Sequence, residues 1–246
     1  MTQPLVGPPG APRTAAGAAP IAEAAAGPLA ATGAAASKPV AAEPAAFPPT
    51  GAAEPHAGAP DAAVGPSVSA EQRRLVLVSG PPGSGKSTLA GPLAAELGFA
   101  LLAKDRIKET LHDWLGQASD LVWSRRLGAA AMELLWALAA DAPAVVLEAN
   151  FWPGDTRVTS HLRELCASPV EVYCQCPEAE CVRRYAARAS SRHEVHVISA
   201  LSPEAFEQCS GPVGLGPIVD VDTTRPVDIV QVAREVLRLL PATAAP

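Results

Sequence analysis

The sequence predicts an α/β fold for residues 71–246: a three-layer sandwich in which a mainly parallel sheet of about five strands carries helices on both faces. Three observations predict it. The stretch Gly80-Pro81-Pro82-Gly83-Ser84-Gly85-Lys86-Ser87 fits the phosphate-binding pattern G-x-x-x-x-G-K-[ST] and lies between an apolar run and a helical one. From Arg73 onward, short apolar runs alternate with amphipathic helical stretches. Acidic residues follow two of those runs, at the carboxyl ends of strands, where open parallel sheets bind their ligands.

Leu75 to Val78 reads as a short buried strand, and Leu89 to Leu97 as the helix after the glycine-rich loop. A second strand, Phe99 to Ala103, runs into Lys104 and Asp105. The helix from Asp105 to Leu115 places Ile107, Leu111, Trp114 and Leu115 on one apolar face, and a longer helix follows from about Ser119 to Ala140. Ala144 to Leu147 forms a third strand that ends in Glu148-Ala149-Asn150. Asp155 is placed to cap a helix to Ala167, and Val170 to Cys174 is the fourth strand. Pro177 opens a basic helix through about Ala189, with proline at a favoured first-turn position. After a polar loop and a short segment beyond Ser202, the strand Ile218 to Val221 and a helix from Val227 to Leu240 complete the domain.

Residues 1–70 have another character. They hold 13 prolines and 25 alanines with few aliphatic side chains, so no run there buries enough apolar surface to offset the entropy of ordering it. A disordered Pro/Ala-rich tail is expected. Its prolines break every candidate secretory leader, and no segment reaches the roughly 18 apolar residues of a membrane span. A soluble, cytoplasmic protein is therefore expected.

The net charge of −6 argues against a large nucleic-acid footprint, although a local basic groove stays compatible with it. Cys166, Cys174, Cys176, Cys181 and Cys209 read as reduced thiols, because an odd count without a leader suits the cytosol. Cys174-Gln175-Cys176 has too short a spacing for a zinc knuckle. Both of those thiols are expected to be buried on one side of a strand.

The chemistry begins with the loop. Gly80, Gly83 and Gly85 let successive N–H groups turn inward as an anion nest, with Ser84 and Thr88 alongside, and the following helix adds the positive end of its dipole. Lys86 places a cation where the β- and γ-phosphates of a nucleotide lie, and the Ser87 hydroxyl is a ligand for Mg²⁺.

Asp105, beyond the second strand, suits a general base that takes the proton of an attacking hydroxyl, or a helix N-cap. Glu148 at the end of a buried strand has the Walker-B arrangement, delivering a carboxylate to the metal or its waters; a salt bridge at the sheet edge is the plainer role. Asn150 and Arg157 lie where an acceptor substrate would sit, and Arg157 equally suits a solvated helix face. Arg184, Arg188 and Arg192 align on one face of a continuous helix, which suggests a lid that neutralises charge during transfer. Pairing with Glu178 and Glu180 on a solvated face is the alternative.

Taken together, Gly80 to Thr88, Lys104-Asp105-Arg106-Ile107-Lys108, Val145 to Phe151, Arg184-Tyr185-Ala186-Ala187-Arg188 and Val221 to Thr224 resemble the P-loop small-molecule kinases. The similarity is greatest to the zeta-toxin and chloramphenicol-phosphotransferase-like ATPases labelled AAA domain, and it spans about Leu75 to Leu240. The resemblance implies a P-loop NTPase fold and ATP with Mg²⁺ as bound groups. It also implies Asp105 as base, Lys108 as a basic residue one turn on, Arg184 and Arg188 as lid arginines, and Asp222 to Thr224 near the adenine side. Glu148 stands where the relatives more often carry Asp, and Lys108 where they more often carry Arg.

The leading expectation is phosphotransfer from ATP to a hydroxyl of a small molecule. The acceptor is expected under the helices between Asp105 and Ala140, where Trp114, Trp123 and Trp136 occur more as core than as ligand contacts. A polynucleotide 5′-hydroxyl kinase and a regulatory nucleotide-binding ATPase are the alternatives.

Overall fold

The structure, a computed structural model, describes residues 69–116, 120–198 and 200–241. The expected tail lies outside these residues, apart from its last two. Among the described residues no helix is long and apolar enough to cross a membrane.

Five strands form one sheet in the order β2-β3-β1-β4-β5: β1 (Arg74–Ser79), β2 (Ala100–Ala103), β3 (Ala144–Glu148), β4 (Val170–Gln175) and β5 (Ile218–Asp222). Every pairing is parallel, so the sheet is wholly rather than mainly so. The near-continuous apolar runs of β1 and β3 follow, because a central strand with helices on both faces buries both sets of side chains. Val76 and Val78 point into one layer with Leu89 and Leu93 of α1 (Lys86–Leu97) and Val232 and Val236 of α7 (Ile229–Leu239). Leu75 and Leu77 point into the other, with Leu135 and Trp136 of α3 (Leu121–Asp141) and Val158 and Leu162 of α4 (Thr156–Leu165). Trp136 is thus core.

Register decides where the chemistry falls. Val78 of β1 and Ala103 of β2 both pair with Glu148 of β3. Gly80, Glu148 and Lys104-Asp105 therefore leave the sheet at one level along its carboxyl edge.

The helix after the glycine-rich loop begins at Lys86, three residues earlier than expected, with Gly85 in a left-handed conformation as N-cap. Asp155 caps α4 as anticipated, accepting from the amides of Arg157 and Val158, and Asp228 caps α7.

Two expectations need correction. The basic helix α5 (Glu178–Ala187) stops before Arg188, so Arg184, Arg188 and Arg192 do not share one helical face. Ser191 turns both its amide and its hydroxyl to the Arg188 carbonyl and closes a 3-10 turn at Ala189–Ser191, the local competition serine offers a helix.

The second concerns α2 (Lys104–Leu115). It exposes Trp114 (85%) and Leu115 (61%) and buries Lys108 and His112. Its inner neighbours are polar: Lys108 meets Ser124 of α3, and His112 meets the segment after the 3-10 turn.

Candidate functional site

Residues 80–85 wrap as a loop whose glycines have structural reasons. Gly80, Gly83 and Gly85 all hold positive φ, of 132°, 86° and 94°. A Cβ on Gly83 would collide with the backbone carbonyl of Cys181, which fixes the first turns of α5 directly against the loop. Ser84 Oγ is buried without a hydrogen-bond partner, 2.9 Å from where a Gly80 Cβ would stand. Lys86 Nζ donates to the loop's own carbonyls, Gly80 O at 2.8 Å and Pro81 O at 2.9 Å. Burial holds Lys86 below its ordinary value, against the opposing pull of Glu148, Cys174, Cys209 and Asp105. An orphaned hydroxyl, an ammonium resting on backbone carbonyls and three left-handed glycines fit a polyphosphate.

Ser87 Oγ donates to Glu148 Oε1 at 3.2 Å, across the space between α1 and β3. Glu148 is 5% exposed. Desolvation raises its carboxyl above the usual range, Lys86 lowers it, and Asp105 adds a further raise. A hydroxyl and a carboxylate in contact are hard oxygen donors and suit Mg²⁺.

Asp105 occupies the first turn of α2, where the N-cap residue is Ala103, so the N-cap alternative does not hold. Its carboxylate accepts from Lys104 Nζ at 3.2 Å and is half-exposed. Desolvation acts to raise its pKa, but Lys104, His196 and Lys108 outweigh it and hold the carboxyl below the usual value. It stands ionised within electrostatic reach of Glu148 and Lys86.

The arginines divide. Arg184 Nε donates to Glu180 Oε1 at 2.6 Å, the pairing of the plainer alternative, while Arg184 Nη2 reaches Thr223 O at 3.0 Å. Hydrogen bonds from Arg183 and Arg184 hold the Glu180 carboxyl down at about 2. Arg184 and Arg188 line a cleft of about 550 Å³ with Gly85, Thr88, Thr223 and Pro226, beside the loop. Arg192 has turned away, its guanidinium 4.1 Å above the Tyr185 ring and bonded to Ile198 O. Asn150 is exposed just past β3, and Arg157 pairs with Glu133 of α3.

Several contacts went beyond the sequence reading. Thr223 Oγ1 donates to Ser84 O at 2.6 Å and lies 3.0 Å from Gln175 O, fastening the turn after β5 to the phosphate loop. Lys108 Nζ donates to Ser124 Oγ at 2.8 Å, and Ser124 Oγ donates to Val195 O at 2.6 Å. His193 pairs with Asp113 at 2.9 Å and His196 with Glu109 at 2.8 Å, so residues 193–196 clasp α2. The i,i+4 spacing of Lys104 and Lys108 around Asp105 was a readable signal; the histidine–acid pairs had none, since 80 or more residues separate the partners.

The cysteines carry no metal pattern of their own. Burial pushes Cys174 and Cys181 up to about 12, and Cys176 lies just beyond β4 rather than on it.

The chain belongs to the AAA-domain family, whose profile matches residues 75–205, more than half of its length. It has the fold of a P-loop kinase-like ATPase, with a five-stranded parallel sheet flanked by helices. No curated protein matches it. Among solved structures it is similar to a candidate kinase from Chloroflexus aurantiacus J-10-fl, at 29% identity and TM-score 0.60, covering 70% of this chain and 100% of that one. It is also similar to the APS kinase of Mycobacterium tuberculosis, at 21% and 0.45 over 69% and 98% of the two chains. The shikimate kinase of Acinetobacter baumannii follows, at 17% and 0.42 over 69% and 93%.

Proposed function

We propose that the protein transfers the γ-phosphoryl group of ATP to a hydroxyl of a small molecule. The observation that carries this reading is the placement of Asp105 in the first turn of α2, two residues past the Ala103 that pairs with Glu148, with both carboxylates within electrostatic reach of Lys86. A hydrolytic switch needs a metal-side acid but no second carboxylate placed for an alcohol.

In this reading residues 80–88 cradle the phosphates through backbone N–H groups, and Lys86 leaves its carbonyl partners for the β- and γ-oxygens. Ser87 and Glu148 would hold Mg²⁺, which neutralises phosphate charge when bound. The base of the nucleotide would lie in the cleft beside Thr223 and Pro226. The acceptor oxygen attacks the γ-phosphorus, its proton passes to the Asp105 carboxylate, and the bond to the β–γ bridging oxygen breaks to release ADP. Arg184 and Arg188 face the charge that spreads over the transferring group. An Asp105 held below the usual carboxyl range is ionised at neutral pH and ready to accept. Asn150 and Arg157 would lie toward the acceptor.

The test is ATP turnover by the full chain with and without a library of hydroxylated metabolites, antibiotics and 5′-hydroxyl oligonucleotides. Acceptor-stimulated ADP release with label recovered on one small molecule is the expected result. Label on the oligonucleotides would make the protein a polynucleotide kinase. Slow ADP release indifferent to every addition would make it a regulatory ATPase.

A further inference from the structure

We infer that the last turn of α2 and the segment after the 3-10 turn form a site for a divalent ion of the zinc class, held by His112, Asp113 and His193. The inference is independent of the phosphotransfer reading.

His112 and Asp113 are neighbours near the end of α2, and His193 reaches them from 80 residues beyond Asp113. One ring nitrogen of each histidine and one carboxylate oxygen of Asp113 all lie within 4.8 Å of one another. Two imidazoles and a carboxylate are donors that suit Zn²⁺ and its first-row neighbours, whereas Mg²⁺ takes oxygen ligands. A tetrahedral ion about 2.1 Å from each ligand sets its ligand atoms about 3.4 Å apart. His193 Nε2 and Asp113 Oδ1 already stand 2.9 Å apart. Side-chain shifts within about 1.5 Å therefore admit the ion.

The histidine–aspartate pair accounts for two of these residues and leaves the third unexplained. His112 is 4% exposed, and its Nε2 is buried without a hydrogen-bond partner. Its Nδ1 has the Glu194 carboxylate at 3.8 Å, beyond hydrogen-bond length. A neutral imidazole carries one donor and one acceptor, and burying them unpaired is destabilising. The His193 ring stands edge-to-face against it, with centroids 5.2 Å apart and planes at 83°. A metal ion bound between the two rings supplies the partner that the protein does not.

The surrounding charge favours a cation. Asp113 and Glu194 bring two carboxylates, while the nearby Arg192 has turned to the Tyr185 ring and Ile198 O. Both carboxylates are largely exposed and His193 is partly so, which opens a route from solvent. Glu194 or a water can take the fourth position.

Binding carries one local cost. Val195 N–H donates to His193 Nδ1 at 3.2 Å, so the ring proton sits on Nε2 and faces Asp113. Coordination gives the Nε2 lone pair to the metal and moves that proton to Nδ1, and the Val195 contact is given up. The Val195 amide is thus a reporter. Asp105 precedes His112 by seven residues, about 10.5 Å along α2. The ion is therefore separate from the Ser87–Glu148 pair, and it fastens the segment after Arg192 to α2.

The test uses the full chain without an affinity tag, stripped of metal with a chelator. Co²⁺ serves as a coloured stand-in for Zn²⁺. One equivalent is expected to give the visible bands of a tetrahedral site without a thiolate charge-transfer band. Zn²⁺ should discharge those bands, excess Mg²⁺ should not, and Zn²⁺ should raise the melting temperature. With ¹⁵N labelling, Zn²⁺ should shift the ring nitrogens of two histidines and the Val195 amide.

Asp113→Asn and His193→Gln, at positions open to solvent, should weaken Zn²⁺ at least about tenfold and melt like the parent chain in chelator. Ser87→Ala should bind Zn²⁺ as the parent does. Absence of a tetrahedral spectrum would reduce the cluster to an ordinary histidine–aspartate pair and overturn the site. A thiolate band would move the ion to the cysteines, and loss of binding in Ser87→Ala would move it to the phosphate loop. Zn²⁺ affinity unchanged in Asp113→Asn and His193→Gln, or histidine ring signals that stay still, would overturn it equally.

Discussion

Ser87 and Glu148 touch: the serine hydroxyl donates to the glutamate carboxylate at 3.2 Å, joining the residue after the loop lysine to the end of a central strand. In the proposed reaction the pair would hold Mg²⁺. Glu148→Gln keeps the shape and one acceptor oxygen but removes the charge. ATP turnover should fall by about 10²-fold or more, while thermal stability does not fall, because burial already disfavours the ionised carboxylate. Steady-state ADP release and a thermal melt on one preparation check both halves; unchanged turnover would remove Glu148 from the metal.

Asp105→Asn is expected to lower phosphotransfer by about 10²–10⁴-fold, the range for loss of a general base. ATP affinity, followed with a fluorescent analogue, should stay within a factor of about two, because the proposed reaction puts Asp105 on the acceptor rather than the phosphate-loop side. A parallel loss of binding would show that the residue shapes the nucleotide site instead.

Lys108 carries a prediction about pH. Its folded value is lowered from 10.5 to about 8, so between those values the unfolded chain holds a proton that the folded chain lacks. Stability therefore rises with pH across that window, and the full cost of the buried charge is felt below it. Lys108→Met should stabilise the protein at pH 7 by at most about 3 kcal/mol and flatten the profile from pH 8 to 10. Urea unfolding at pH 7 and 9.5 measures both. No stabilisation at pH 7 would mean the ammonium is better solvated than its burial implies.

Gly83→Ala meets two obstacles, a φ of 86° and the Cys181 carbonyl where the new methyl would go. The expected cost is about 1–3 kcal/mol, with nucleotide binding weakened because loop and α5 must part. Gly91→Ala, on the same helix that follows the loop, meets nothing within 4 Å and is the control. Equal behaviour of the two variants in melts and ATP titrations would contradict the packing described.

The parts readable in advance were those fixed by short-range pattern. The loop, the five strands and the acids at strand ends follow from local chemistry and from the rule that parallel sheets bind at one edge. The parts that were not readable depend on partners far along the chain. Trp114 and Leu115 have the spacing of a buried face, yet α2 turns Lys108 and His112 inward because Ser124, Glu194 and Val195 supply a polar wall. Arg192 follows Arg188 by four residues, yet Ser191 ends the regularity between them. Residues 1–68, whose composition predicts a tail, lie outside the described residues.

The arginine-bearing segment is moored at both ends. Arg184 holds Thr223, whose hydroxyl grips the phosphate loop, and His193 and His196 hold Asp113 and Glu109 on α2. A ligand that drew in one end would pull on the other through the run of chain that joins them. Occupancy at the two ends would then be linked, and thermodynamic reciprocity would require each ligand to alter the other's affinity by the same factor. Under the proposed phosphotransfer, a nucleotide and its co-substrate would be such a pair, each readying the protein for the other.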